Sequence, residues 1–256
     1  MGLTEPGPSR TIYDRGSPKF DMCGRYSLFA PPEAVEERFG ASFHETFQPR
    51  YNAAPRQSLP VIGDDRDAAI RTMEWGLVPP WADSRDDGGF INARAETVAD
   101  KPSFRDAFRR DGPGGRCLVL ADGFYEWVEQ DGDKQPYRVT LAGERPFAMA
   151  GLWTPFEPAT EQTGLGDFGG DGPGGPDPVE TFSIVTTEPN ATVADLHHRM
   201  AVVLPEGRER EWLRAPAAEA ADLLEPYEGE MRTYPVSTAV NDPSNDSPSV
   251  TEPLSE

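Results

Sequence analysis

Cys23 sits in the run Met22-Cys23-Gly24-Arg25-Tyr26, which has the form of a protein start although twenty-two residues precede it. A cysteine with a free α-amine is a 1,2-aminothiol. Its nitrogen and sulfur together condense with an aldehyde to a five-membered thiazolidine ring. A cysteine inside a chain has an amide nitrogen in that place and reacts only through sulfur. The expectation is that synthesis begins at Met22 or that residues 1–22 are removed, which leaves Cys23 at the N-terminus with both nucleophiles available.

Three further segments carry side chains able to do chemistry. Gly123-Phe124-Tyr125-Glu126-Trp127 sets one acid in an aromatic strand. Turned inward, Glu126 is a candidate general acid or base, because burial favours the proton-holding form of a carboxyl. Strand alternation keeps the opposite reading open, since Phe124 and Glu126 share a face that solvent can equally well occupy. His197-His198-Arg199-Met200 opens an apolar strand at its polar end, where one imidazole can move protons near neutral pH. The doublet does not say whether His197 or His198 faces inward.

Asn92-Ala93-Arg94-Ala95-Glu96-Thr97 follows Trp75-Gly76-Leu77-Val78-Pro79-Pro80-Trp81. Asn and Arg beside two tryptophans suit a groove that stacks bases and holds phosphates. The plainer alternative buries Trp75 and Trp81 in the core and uses Asn92 in a turn. His44 reads as incidental and Cys117 as a buried core thiol. Two cysteines and three histidines at these spacings form neither a disulfide framework nor a zinc site, so the site is expected to need no metal and no cofactor.

The elements that must position these groups follow from the apolar pattern. The 256 residues make one large domain or two small ones. Apolar runs at Leu59–Ile62, Ala69–Leu77, Arg116–Ala121, Phe124–Val128, Tyr137–Leu141, Phe147–Trp153, Phe182–Thr187 and Met200–Leu204 predict strands, several buried on both faces. Pro31–Gly40, Ser103–Arg110, Asn190–Leu196, Gly207–Arg214 and Pro216–Leu224 predict short helices, the first from its opening Pro and closing Gly. The fold class is therefore α+β: a β-rich single domain with short peripheral helices. Residues 1–21 read as a disordered leader or a misassigned start, and 22–243 as the domain. Within it, 157–178 is a flexible Gly/Asp/Pro-rich insertion between two strands, and 244–256 is a tail running over the surface.

The net charge is −20, from 44 acidic and 24 basic residues. Such a balance argues against a nucleic-acid partner if it is spread evenly, because phosphates favour a basic surface. A high-salt cytoplasm selects the same composition for solubility, and about 1 M salt screens charge within ~3 Å. On that reading any positive groove is local, built from Arg25, Arg94, Arg105 and their neighbours. No stretch is long and apolar enough to span a membrane, and the start lacks the apolar core of a secretory signal, so a cytoplasmic protein is expected.

Taken together, Met22–Tyr26, Tyr51-Asn52-Ala53-Ala54-Pro55, Trp75–Pro79, Asn92–Thr97, Gly123–Trp127, His197–Met200 and Pro235-Val236-Ser237-Thr238 resemble the SRAP family, the SOS response-associated peptidases. The motifs run in the family's order across about 22–243. The resemblance implies a monomer that senses abasic sites in single-stranded DNA and crosslinks to them through an N-terminal cysteine, as a thiazolidine. The lesion is then shielded from nucleases and error-prone synthesis. By motif position, Cys23 is the implied nucleophile, Asn92 orients it and the sugar, Glu126 is the catalytic acid and His197 the active-site imidazole. Arg25 and Arg94 are implied DNA-backbone ligands, Trp75 and Trp81 lie in the base-stacking stretch, and Pro55 and Arg105 join the DNA-contacting set. Strand-cleaving lyase activity and autoproteolytic removal of the leader are further implied possibilities. A cysteine peptidase and a non-covalent reader of single-stranded or modified DNA are the competing functions. The sequence has Arg199-Met200-Ala201 where the family usually has Arg-Met-Pro, a difference expected to touch strand geometry rather than chemistry.

Overall fold

Five of the eight predicted apolar runs pair with one another into a closed ring of strands. The computed structural model describes residues 24–66, 68–82, 84, 89–130, 132–157 and 178–254. In chain order the early strands are β1 (Tyr26–Leu28), β2 (Ser42–Phe43), β3 (Arg50–Ala53), β4 (Ser58–Gly63), β5 (Ala69–Trp75) and β6 (Asn92–Arg94). They are followed by β7 (Gly115–Ala121), β8 (Gly123–Gln130), β9 (Asp133–Leu141), β10 (Phe147–Phe156), β11 (Val179–Thr187), β12 (Met200–Ala201) and β13 (Met231–Pro235). The helices are α1 (Pro32–Phe39), α2 (Arg105–Arg109), α3 (Ala191–Ala194), α4 (Glu209–Arg214) and α5 (Ala217–Ala221).

Strands β11, β10, β7, β4 and β5 are neighbours in one sheet. That sheet closes on itself where β5 meets β11 in parallel, Glu74 against Thr181 and Trp75 against Phe182. Closure leaves these five strands no unpaired edge in that stretch. A second sheet, ordered β13-β9-β8-β1-β3, packs against the ring. Alternation then divides the ring's side chains. Leu59, Val61, Met73, Trp75, Val119, Met149 and Phe182 cluster with Tyr26, Phe124 and Val139 of the second sheet. Ile62, Ile70, Leu118, Leu120 and Val185 face the other way, under Val35 of α1, Phe108 of α2 and Trp212 of α4. Both faces are covered, which is why these strands are almost continuously apolar. The fold is β-rich α+β, a single domain built round a small barrel with few short helices.

Helix α1 begins with Pro32 at its first turn and stops at Gly40, whose φ of 61° places its amide on the Glu36 carbonyl. A left-handed stop of this kind favours glycine. Gly123, at the start of β8, has a different reason to lack a side chain. A Cβ there would meet the Arg138 guanidinium at 2.7–2.8 Å.

That guanidinium belongs to a buried network which sets the position of β1. Asp122 accepts from Ser27 Oγ at 2.7 Å and from the amides of Phe29 and Ala30 at 2.6 and 3.0 Å. Arg138 donates to Asp122 Oδ1 at 3.1 Å and to Tyr234 Oη at 2.7 Å. Both members of the ion pair are 4% exposed. The network therefore joins β1, β9 and β13 around the β7–β8 turn.

Several expectations are corrected here. β1, β2, β3, β6 and β13 were not predicted, and the run Met200–Leu204 forms only a two-residue strand plus a single bridge from Val203 to Met149. The segment after 243 lies on the surface and is anchored to the body at a few points. Asp246 binds Arg50 and the amides of Tyr51 and Asn52, Val250 is 1% exposed, and Val236 bridges Pro253. Paired strands end at Phe156 opposite Val179, so the insertion leaves and re-enters at adjacent points. Its residues 158–177, like the leader 1–21, lie outside the described residues.

Replacing Asp122 with Ala leaves the Arg138 charge buried without its partner and should lower unfolding free energy by about 3–5 kcal/mol in urea titrations. A loss below about 1 kcal/mol would show that β1 is held by other contacts.

Candidate active site

Glu126 lies on β8 facing the same way as Phe124, whose ring belongs to the cluster between the two sheets. The acid is consequently 3% exposed, which decides against the solvated alternative. Opposite it comes the N-terminal strand. Tyr26 pairs with Phe124, and the Tyr125 amide donates to the Arg25 carbonyl at 3.0 Å. Continued outward, this register sets Gly24 against Glu126. Cys23, which directly precedes Gly24, lies outside the described residues.

His197 arrives from another direction. Asn190 caps α3 by accepting the Val193 amide at 3.0 Å, and the His197 amide bonds back to the Val193 carbonyl at 2.9 Å. This turn places His197 Nδ1 3.8 Å from Glu126 Oε2. The same nitrogen accepts from the Arg199 amide at 3.2 Å. His197 is 16% exposed and His198 is on the surface, so His197 is the inward member of the doublet. His44 is exposed and takes no part.

Asn92 opens β6, which pairs in parallel with β11, Asn92 against Ile184 and Arg94 against Thr186. Trp75 governs this position from behind. It is fully buried, its Nε1 donates to the Ile91 carbonyl at 2.8 Å, and its ring lies 5.2 Å from that of Tyr26. Trp75 is thus removed from the expected base-stacking set, because its faces meet Tyr26 and Phe182. Trp81 is the reverse case, 63% exposed, with Phe90 also outside at 41%.

Arg25 is a second correction. It is 8% exposed, and its Nη1 donates to Asn52 Oδ1 at 2.9 Å and to the Val240 carbonyl at 2.6 Å. Its Nη2 donates to the Asn241 carbonyl at 3.1 Å. These protein acceptors take three of its five N–H donors, and burial keeps the group from an approaching phosphate. Arg94 is exposed at the end of β6, and Arg105 is exposed at the start of α2 with its Nε on Asp106. Pro55 is half-buried in the β3–β4 turn. The expected local groove therefore lacks Arg25 as a member.

Some residues went unmarked in the sequence. Arg199 is buried, donates to both Glu96 oxygens, and reaches the Thr186 carbonyl at 2.6 Å. Its signal was its place in the histidine motif. Trp127, Lys134 and Asn241, with Gly24 and Arg25, line a cavity of about 190 Å³ beside the N-terminal strand. Among the described residues, no group of three or more His, Cys, Asp and Glu could hold a metal ion. Cys117 is buried on β7.

An acid facing the start of β1 by strand register, with an imidazole 3.8 Å from it, can hand protons to and from a nucleophile there once small motions close the gap. The chain belongs to the SOS response associated peptidase (SRAP) family, whose profile matches residues 22–243. It is 37% identical over 241 residues to the abasic site processing protein YoqW of Bacillus subtilis, covering 90% of this chain and 99% of that one. With the abasic site processing protein HMCES of Gallus gallus the identity is 32% over 244 residues, covering 81% and 67%. A crystal structure of a protein from Bacteroides thetaiotaomicron has the same fold, with a TM-score of 0.75, 27% identity, and 91% and 100% coverage. No helix among the described residues is long and apolar enough to cross a membrane.

Hydrogen bonds from Arg199 hold the Glu96 carboxyl below the usual carboxylate range. A depressed carboxylate adds stability above its unfolded value, near pH 4.3, and loses it as pH falls through the folded value. Glu96 is about half exposed, so solvent screens the pair and the effect is small. Glu96→Gln should melt about 1–3 °C below the parent at pH 7, with the two curves converging below about pH 4. A gap that persists or widens in acid would contradict this assignment.

Proposed function

We propose that this protein processes abasic sites in single-stranded DNA by forming a covalent thiazolidine through Cys23 once Cys23 is N-terminal. The observation that carries the reading is the register of β1 on β8, which runs Gly24 against Glu126 while His197 stands 3.8 Å from that acid. Gly24, the residue that follows Cys23 in the chain, thus lies on the strand that faces one of these two proton-transfer groups. The named relatives, abasic site processing proteins of a bacterium and a bird, support the choice of lesion.

The chemistry balances without a cofactor. The abasic sugar opens to an aldehyde at C1′. The α-amine, whose ordinary pKa of about 7.7–8 leaves a large neutral fraction near physiological pH, attacks it. The carbinolamine loses water to give an imine, and the sulfur adds to the imine carbon. Amine, thiol and aldehyde thus become a thiazolidine and one water. Glu126 moves protons during addition and dehydration, and His197 protonates the ring oxygen as the sugar opens. Asn92 orients the amine and sugar through neutral hydrogen bonds. Arg94 and Arg105 hold the backbone, with Trp81 stacking on a base and Pro55 lining the strand's path. The protein acts as a monomer in the cytoplasm and shields the lesion. The imine also permits β-elimination, hence some strand cleavage.

A second reading is favoured by the residues written before Cys23: a cysteine peptidase that cuts its own leader with the same acid and imidazole. It precedes the first reading and does not replace it, because cleavage would free the amine.

Protein beginning at Cys23, mixed with a single-stranded oligonucleotide carrying one abasic site, should give a complex stable to heat and detergent. Its mass should be the sum of the two parts less one water. Cys23→Ser should abolish the stable species while leaving affinity for intact strand within about twofold. Failure of the Cys23-first protein to form it would sink the crosslinking reading and leave a non-covalent DNA reader.

A further inference from the structure

The start of β1 is tied to a part of the chain more than two hundred residues away, and one side chain organises the tie. Asn52 on β3 is fully buried. Its Oδ1 accepts from Arg25 Nη1, and its Nδ2 lies within hydrogen-bond reach of the Val240, Asp242 and Asn245 carbonyls at 3.1, 3.0 and 3.0 Å. The Asn52 backbone amide is itself held by Asp246 Oδ1 at 3.0 Å. Arg25 then reaches past Asn52 to the Val240 and Asn241 carbonyls. On the other side of Glu126, Trp127 Nε1 donates to Asn241 Oδ1 at 2.7 Å, and Tyr125 Oη donates to the Tyr51 carbonyl at 2.6 Å.

Glu126 is therefore flanked by Trp127, fixed to the 240–246 loop, and by Tyr125, fixed to β3 one residue before Asn52; the same loop and the same strand fix Arg25, two residues after Cys23. We infer that Asn52 is a positioning residue which, through Arg25 and the 240–246 loop, sets where Gly24, and so the start of β1, stands relative to Glu126. A guanidinium is suited to this role because its planar fork can donate to three acceptors at once, which an ammonium on a flexible stem does not reproduce. The reach of the device extends past the end of the family match at residue 243, to Asn245 and Asp246. The inference rests on the crosslinking reading for its kinetic consequence, but its structural part can be judged separately.

Arg25→Lys keeps the charge and removes the fork. It should slow the crosslinking rate constant at saturating abasic oligonucleotide about tenfold, with affinity for intact single-stranded DNA within twofold of the parent. Asn52→Ala should do the same, and the double variant should be no slower than the slower single, because both act on one link. Equal loss of rate and affinity would instead make Arg25 a DNA ligand, and additive losses would break the link between the two residues. Either result overturns the inference, as does an unchanged rate in Arg25→Lys. That variant leaves the Asn52 side chain in place and decides the matter alone if Asn52→Ala does not fold. If the parent itself does not crosslink, the functional reading has failed, and hydrogen exchange at the Tyr125 amide judges the anchor. Exchange there should accelerate about tenfold in Arg25→Lys with the melting temperature held, and unchanged exchange would overturn it.

Discussion

A three-residue strand follows Cys23 and Gly24 in the chain, and a carboxylate holds that strand. Three residues of β1 cannot define their own register through backbone pairing, since a slip of one residue would turn every side chain to the opposite face. Asp122 prevents the slip by taking Ser27 Oγ and the Phe29 and Ala30 amides at the strand's far end, with Arg138 neutralising it from β9. A buried ion pair of this kind contributes little net stability compared with an apolar replacement, because both ions lose hydration. Its effect lies in geometry: the bonds run in fixed directions from one carboxylate. With Ser27 set, Tyr26 falls on Phe124 and Gly24 on Glu126.

Long apolar strands were legible in the sequence because burial on two faces leaves an unbroken composition signal. Phe147–Phe156 and Gly115–Ala121 needed nothing more than that. The elements that build the site had no such signal. β6 is Asn-Ala-Arg and β3 is Arg-Tyr-Asn-Ala, and both are strands because a neighbour pairs with them. The anchors of the C-terminal segment had no signal for the same reason, since Asp246 and Asn245 look merely solvent-loving until their partners on β3 are known. Glu126, His197 and Asn92 were recognisable as motif residues. Arg25 and Trp75 were assigned to the DNA surface although both point inward, since a motif records that a residue matters and not which side of the strand it serves.

Charge shows the same divide between composition and placement. Of the cations that oppose 44 acidic residues, Arg25, Arg71, Arg116, Arg138 and Arg199 are buried. Arg25, Arg71, Arg138 and Arg199 each donate to several acceptors, some of which a lysine would leave unsatisfied, and lysine is confined to positions 19, 101 and 134. Four acids, Asp64, Asp122, Glu126 and Glu209, are buried as well, so nearly all of the acidic excess stays on the surface. A strand of DNA approaching such a body meets repulsion everywhere except where exposed arginines and aromatic faces cluster. Stacking on an exposed indole such as Trp81 tolerates salt that would screen phosphate contacts away. An acidic protein can therefore hold nucleic acid if aromatic contact, rather than long-range attraction, supplies much of the affinity.

The site draws its members from both sheets, so its geometry depends on how the sheets meet, and Trp75 stands at that junction. Through its backbone it pairs with Phe182 where the ring of strands closes. Its indole lies against Tyr26, one residue from Arg25, and its Nε1 holds the carbonyl next to Asn92. Closure of the barrel, placement of the N-terminal strand and placement of the asparagine are thus contacts of one buried side chain. An exposed tryptophan could be exchanged for another aromatic with modest consequence. This one has a partner on each face and a hydrogen bond at its edge, a set that Phe lacks the N–H to make and Tyr would make from a different point. That explains a tryptophan here by what it positions: the closure of the barrel, the start of β1 and the strand that opens with Asn92.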